Sequence, residues 1–121
     1  MEVLGHHIYE YKKGLRSLVL HTMRAQDYQQ AKEVLERKQI EHLIYWVNER
    51  KFNVFFGKRE CIEVLKSFGK QNLNDFTDEE DFILGTMLGY DRIQQCQRLL
   101  KRKRLKAKAH EPLPIALGRA S

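Results

Sequence analysis

The sequence predicts an α+β fold: a three-stranded antiparallel sheet of ferredoxin-like βαββα order, followed by two C-terminal helices. Three observations carry this prediction. A branched apolar run precedes a helical pattern, and two further apolar runs joined by a polar link precede a second helical pattern. A Thr-x-x-Glu capping box at Thr77 opens a third helix. A fourth period of apolar residues follows Asp91, a side chain suited to capping a helix start.

In chain order, residues 8–13 suit a strand or a single helical turn by pattern alone, and Gly14 as a stop favours a short helix. Residues 15–22 are rich in branched side chains and read as the first strand. From 25 to 38, Tyr28, Ala31, Val34 and Leu35 recur at helical spacing, with Asp27 early and Arg37 and Lys38 late, as the helix dipole favours. Residues 41–47 and 52–57 form a hairpin through the polar link 48–51. A helix over 58–68 places Cys61, Ile62, Leu65 and Phe68 on one side and stops at Gly69. The third helix runs from residue 78 to Gly89, and the fourth carries the stripe Ile93, Cys96, Leu99 and Leu100. Residues 1–106 are expected to be one domain, and 107–121, with Pro112, Pro114 and Gly118, a flexible tail.

Strand alternation predicts two apolar faces. Leu43, Tyr45, Val47, Phe52, Val54 and Phe56 are assigned to one, and Ile44, Trp46 and Phe55 to the other. If two helices cover one face, each of the latter three forgoes roughly 1.5 to 3 kcal/mol of burial. Either the helices after residue 77 or a second copy of the chain must cover them.

Composition narrows the class. Apolar residues at 42% are too many for a disordered chain, and charged residues at 31% too many for a membrane protein. No apolar run approaches the ~20 residues that span a bilayer, and residues 1–7 lack the pattern of a secretory signal. Cys61 and Cys96 fall at helical apolar positions, as small hydrophobes in a reducing compartment do, so a cytoplasmic location is expected. The net charge of +6 is concentrated in residues 98–108, which hold seven basic side chains and no acid, and the rest of the chain is close to neutral. Basicity therefore belongs to one helix end, not to an extended binding face.

The runs HHIYEYKKGLRSLVLHTM, FNVFFG and EEDFILGTMLGYDRIQQC resemble a small bacterial family of unknown function. The resemblance extends to the basic segment and not to the tail HEPLPIALGRAS. It implies three strands, about five helices, a homodimer, and a loose association with a flavodoxin. It carries no catalytic residue across.

Each candidate site has a plainer explanation beside it. Gly57, Lys58 and Arg59 join a strand to a helix start, where free N–H groups can meet an anion, but a lone glycine falls short of a phosphate loop. His6, His7, His21 and His42 have no metal-ligand spacing, and His21, at a strand end, is the one placed to reach a cleft. The acids at 75 and 78–81 suit a helix start by dipole chemistry alone. Gly85 and Gly89 allow a close helix crossing, and Tyr90 marks an exposed corner.

The basic segment Lys101, Arg102, Lys103, Arg104 and Lys106 has no interleaved aromatic for base stacking. The resulting expectation is a non-catalytic, cofactor-free homodimeric interaction module. Ile44, Trp46, Phe55, Gly85 and Tyr90 form its interface, and the basic segment docks an acidic protein such as a flavodoxin. Non-specific nucleic-acid binding through that segment is the alternative. A small-ligand or metal-dependent enzyme using His21 and Arg59 is the third reading.

Overall fold

The computed structural model describes residues 1–109. Helix α1 (Glu2–Lys12) leads into strand β1 (Leu18–Arg24) and helix α2 (Tyr28–Arg37). The hairpin β2 (Glu41–Trp46) and β3 (Lys51–Gly57) follows, then helices α3 (Arg59–Ser67), α4 (Asp78–Met87) and α5 (Arg92–Ala109). Short 3-10 turns at Ala25–Asp27 and Leu73–Asp75 lead into α2 and towards α4. Three strands and five helices are the number that the family resemblance implies. α1 is longer than the single turn expected, because Leu4 and Ile8, one helical turn apart, both reach the core. At the other end α5 continues three residues past Lys106, and the remainder of the expected tail, 110–121, lies outside the described residues.

The strands form one sheet in the order β1-β3-β2, with β3 antiparallel to both neighbours. Leu43 lies opposite Phe55, Ile44 opposite Val54 and Trp46 opposite Phe52, and Val47 N–H donates to the Lys51 carbonyl at 3.0 Å. The expected faces are corrected by this register. Pairing Val47 with Phe52 would have put Leu43 and Tyr45 on the Phe52 face, whereas a one-residue shift in pairing flips every side chain of the strand. Ile44 and Trp46 therefore share a face with Phe52, Val54 and Phe56, and Phe55 lies on the other with Leu43 and Tyr45.

Each face is covered from within the chain. α1 and α2 bring Leu4, Ile8, Ala31 and Leu35 against Val19, Phe52, Val54 and Phe56. α3 and α4 bring Ile62, Leu65, Leu84 and Leu88 against Leu18, Tyr45 and Phe55. The two helices nearest the sheet in sequence, α2 and α3, thus lie on opposite faces. The need for a cover that pointed to later helices or a second copy is met by α3 and α4. Among the described residues no helix is long and apolar enough to cross a membrane.

Candidate functional site: the outward face of the last helix

Four consecutive acids open α4, and the structure shows what they hold. Thr77 Oγ1 accepts from Glu80 N–H at 3.1 Å while Glu80 Oε1 accepts from Thr77 N–H at 2.8 Å, closing the capping box that the sequence predicted. Glu80 also pairs with Lys70 at 2.6 Å. The other three acids face α5, which returns antiparallel along α4 after Gly89 and Tyr90. Arg98 donates to both oxygens of Asp81, at 2.7 and 3.0 Å. Arg102 donates to Asp78 at 2.8 Å and lies 3.3 Å from Asp81, Lys106 lies 3.1 Å from Asp78, and Lys103 pairs with Glu79.

Arg102 holds the Asp78 carboxyl below the usual carboxylate range, with Lys106 helping against the opposing effect of burial. Lys103 does the same for Glu79, and Lys70 with the Thr77 amide does so for Glu80. In return Asp81 raises Arg98 and Glu79 raises Lys103. Asp78 is nearly enclosed, its side chain 6% exposed, so its two cations are the groups that stabilise its charge there.

This arrangement revises the predicted docking segment. Of Lys101, Arg102, Lys103, Arg104 and Lys106, three are spent on α4; among the described residues only Lys101 and Arg104 of the five have no ion pair. The covered side of α5 is Gln95, Leu99 and Arg102, so of the apolar stripe expected to pack Leu99 lies on it and Ile93 and Leu100 do not. Ile93 and Leu100, one pair of turns apart, face outward at 64% and 54% exposure, with half-buried Cys96 between them. Arg104, Lys101, Lys108 and Arg92 lie around this stripe. A helix end whose inner charges are matched thus presents an apolar strip between unmatched cations.

The remaining predicted residues fall in separate places. Phe55 is fully buried in the second core, Ile44 packs half-buried against the first, and Trp46 is 47% exposed beside Tyr28 and Phe52. Gly85 is buried where α4 meets α5, with Gln95 lying against it; its contact is within the chain. Tyr90 is exposed at the α4–α5 corner.

Gly57 is fixed by packing, because a Cβ there would lie 2.1 Å from the Ser17 carbonyl oxygen and 2.9 Å from the Leu18 Cα. Lys58 N–H is already donated to Ser17 at 2.9 Å and Arg59 pairs with Glu41 at 3.4 Å, which leaves the turn little to offer an anion.

His21 stands on the α1 side of the sheet, where its ring lies 5.0 Å from that of His7. Arg16 reaches His7 Nδ1 at 3.1 Å and Glu10 at 3.5 Å. Burial pushes both imidazoles below the ordinary range, Arg16 adding to this at His7 and His7 at His21. Arg59 opens α3 on the opposite side of the sheet, so the structure does not bring it together with His21. Among the described residues no group of three or more His, Cys, Asp and Glu could hold a metal ion. Cys61 and Cys96 are both free and half-buried, and burial pushes the Cys61 thiol up.

A search of the curated proteins finds no match. The family described as a protein of unknown function, DUF2023, matches residues 2–102, from the start of α1 into the docked half of α5, and the chain belongs to that family.

Proposed function

We propose that the protein is a non-catalytic, homodimeric interaction module that docks an acidic partner protein on the outward face of α5. The observation that supports this most is the division of labour on that helix. Its inner cations are neutralised by Asp78, Glu79 and Asp81, while Ile93 and Leu100 stay exposed between cations that have no ion pair among the described residues. An apolar strip rimmed by one sign of charge favours a partner with apolar anchors and an acidic rim, the apolar contact giving affinity and the charges steering approach. A flavodoxin, the partner implied by the family resemblance, is one candidate of that chemistry.

A second copy of α5 would bring like charges together, so self-association is assigned elsewhere. Trp46 and Val47, 47% and 49% exposed at the turn end of the hairpin, support the hairpin as its surface. The β1-β3-β2 order, with β1 and β2 parallel about an antiparallel β3, supports reading the sheet as a split β-α-β of ferredoxin-like type, with α3 displaced to the second face.

The test is a titration of fluorescently labelled protein with a purified flavodoxin at ~50 and ~200 mM salt, where screening separates steering from contact. Lys101→Glu with Arg104→Glu is expected to weaken binding about tenfold and flatten its salt dependence, and Ile93→Ala with Leu100→Ala to weaken it about tenfold at both salts. Binding that ignores both pairs overturns the assignment. Tight, salt-dependent binding of an oligonucleotide, lost with the charge reversals alone, would favour nucleic acid instead.

A further inference from the structure

β1 is an outer strand, and its hydrogen-bonding parity shows which backbone groups are open. Ser17 accepts from Lys58 N–H at 2.9 Å and Ala25 N–H donates to Arg50 at 2.7 Å, so residues of odd number between them bond to β3. The N–H and C=O groups of Leu20, Thr22 and Arg24 therefore point away from the sheet. Among the described residues no backbone or side-chain group bonds to those of Leu20 and Thr22, whereas Arg24, as the cap of the 3-10 turn Ala25–Asp27, gives its carbonyl to that turn. Thr22 and Arg24 are exposed and Leu20 is half-buried, whereas Leu18 is fully covered.

A cavity of about 290 Å³ opens beside this edge, on the α4 side. Leu20, Leu84 and Leu88 form its apolar wall, and Tyr90, Gln95 and the Arg98–Asp81 pair its polar rim. Gln95 is 8% exposed and its carboxamide lies against Gly85. Arg98 commits Nε and one terminal nitrogen to Asp81, leaving the other nitrogen of its guanidinium without a recorded bond. At the far end of the strand, Arg24 is 75% exposed in its side chain and only 4.0 Å-paired to Asp27.

We propose that the free edge of β1 receives an extended peptide of a partner protein, which adds a strand to the sheet and places one leucine- or phenylalanine-sized side chain in the Leu20–Leu84–Leu88 cavity. Strand addition takes affinity from main-chain hydrogen bonds and specificity from a pocket for alternate side chains, and both are present here side by side. Arg24 at the strand end, largely exposed and only loosely paired, selects an acidic residue beside that apolar anchor. The surface lies on the opposite side of α5 from Ile93 and Leu100 and stands independently of docking there.

The probe is an acetylated octapeptide in which glutamate and threonine alternate around one central leucine, titrated into isotope-labelled full-length protein and followed by amide chemical shifts. The expected result is perturbation centred on Leu20, Thr22 and Leu84. Replacing the peptide's leucine by alanine should weaken binding about tenfold, as should N-methylating its alternate amides, since each change removes one of the two contributions. In the protein, Thr22→Pro should weaken it similarly, whereas Thr22→Val, which loses the same bond from Thr22 Oγ1 to Asn53 at 2.6 Å but keeps the outward N–H, should not. Equal binding by the leucine, alanine and N-methylated peptides overturns the proposal, as does no binding at ~1 mM, where even a weak site would be partly filled. Perturbation confined to Ile93 and Leu100 overturns it while leaving the α5 reading standing.

Discussion

A methyl group added to Gly85 would lie 1.9 Å from Gln95 Oε1 and 2.6 Å from its Cδ, inside any allowed contact. The clashing atoms are the far end of the Gln95 side chain, which borders the cavity beside β1 and can turn towards it. Gly85→Ala, which also gains helix propensity, should therefore cost about 1 kcal/mol or less, read as a slightly lower urea midpoint with an unchanged slope. Shortening the obstacle as well, in Gly85→Ala with Gln95→Ala, should recover part of that loss; no recovery would mean that the crossing depends on something else.

The imidazoles of His7 and His21 make a second prediction. Both are held below the ordinary 6.5, so the unfolded chain binds more protons than the folded one as the pH drops past that value. Their contribution is full above about 6.5 and is lost progressively below it, as far as the folded-state pKa values. Tm measured at closely spaced pH should fall in this window, and His7→Gln with His21→Gln should flatten the fall. Asp78, Glu79 and Glu80 act in a separate window: their folded pKa values lie below 3.8 and 4.5, so the stability they confer is lost only as the pH falls under those values. An unchanged decline near 6.5 in the double variant would locate its cause outside the histidine pair.

Among the elements, most boundaries were legible because each has a local cause. The Thr77 box starts α4, and Gly14, Gly69 and Gly89 stand just beyond the helices they were expected to end. The hairpin register was not legible, since it turns on whether Val47 faces Lys51 or Phe52, and the polar link 48–51 fits either. The packing side of α5 was missed for a different reason. Apolar periodicity pointed to Ile93, Cys96, Leu99 and Leu100, yet of these Leu99 lies on the side that docks, beside Gln95 and Arg102, which the acids of α4 draw in. A signal was available: an acidic run at the start of one helix and a basic run at the end of the next, joined by a tight corner, must meet if the two pack antiparallel. That β1 is an outer strand follows from the ferredoxin-like order if β3 inserts between β1 and β2, but the cavity beside it could not be read, because it is set by contacts distant in sequence.

This lock predicts that Arg98→Ala with Arg102→Ala loosens α5 and lowers helical circular dichroism while Trp46 emission stays fixed. A double-mutant cycle on Arg98 and Asp81, a half-exposed pair, should give a coupling of about 1 kcal/mol or less. Loss of the Trp46 signal at the same time would show that α5 supports the sheet directly.

For the whole molecule, one central strand joins two cores. β3 contributes Phe52, Val54 and Phe56 to the side covered by α1 and α2, and Phe55 to the side covered by α3 and α4, all four fully buried. Loss of either core removes half of what holds β3, so the sheet and the helices on its faces should unfold as one unit. Phe55→Ala and Phe56→Ala should each cost about 3–5 kcal/mol and shift the transition seen by any probe of the sheet equally. α5 stands outside that unit, for it rests chiefly on α4 and does so through ion pairs whose partners are partly open to water. Helical circular dichroism should therefore begin to fall at lower urea than Trp46 fluorescence, and amide exchange should be fastest in the second half of α5 and slowest in β3. Arg98→Ala with Arg102→Ala should widen the gap between the two curves, whereas Phe55→Ala should move both. Coincident curves in the parent protein and in the arginine variant would place α5 within the cooperative unit. The surface it presents would then be as rigid as the sheet, instead of being carried on the least protected element of the fold.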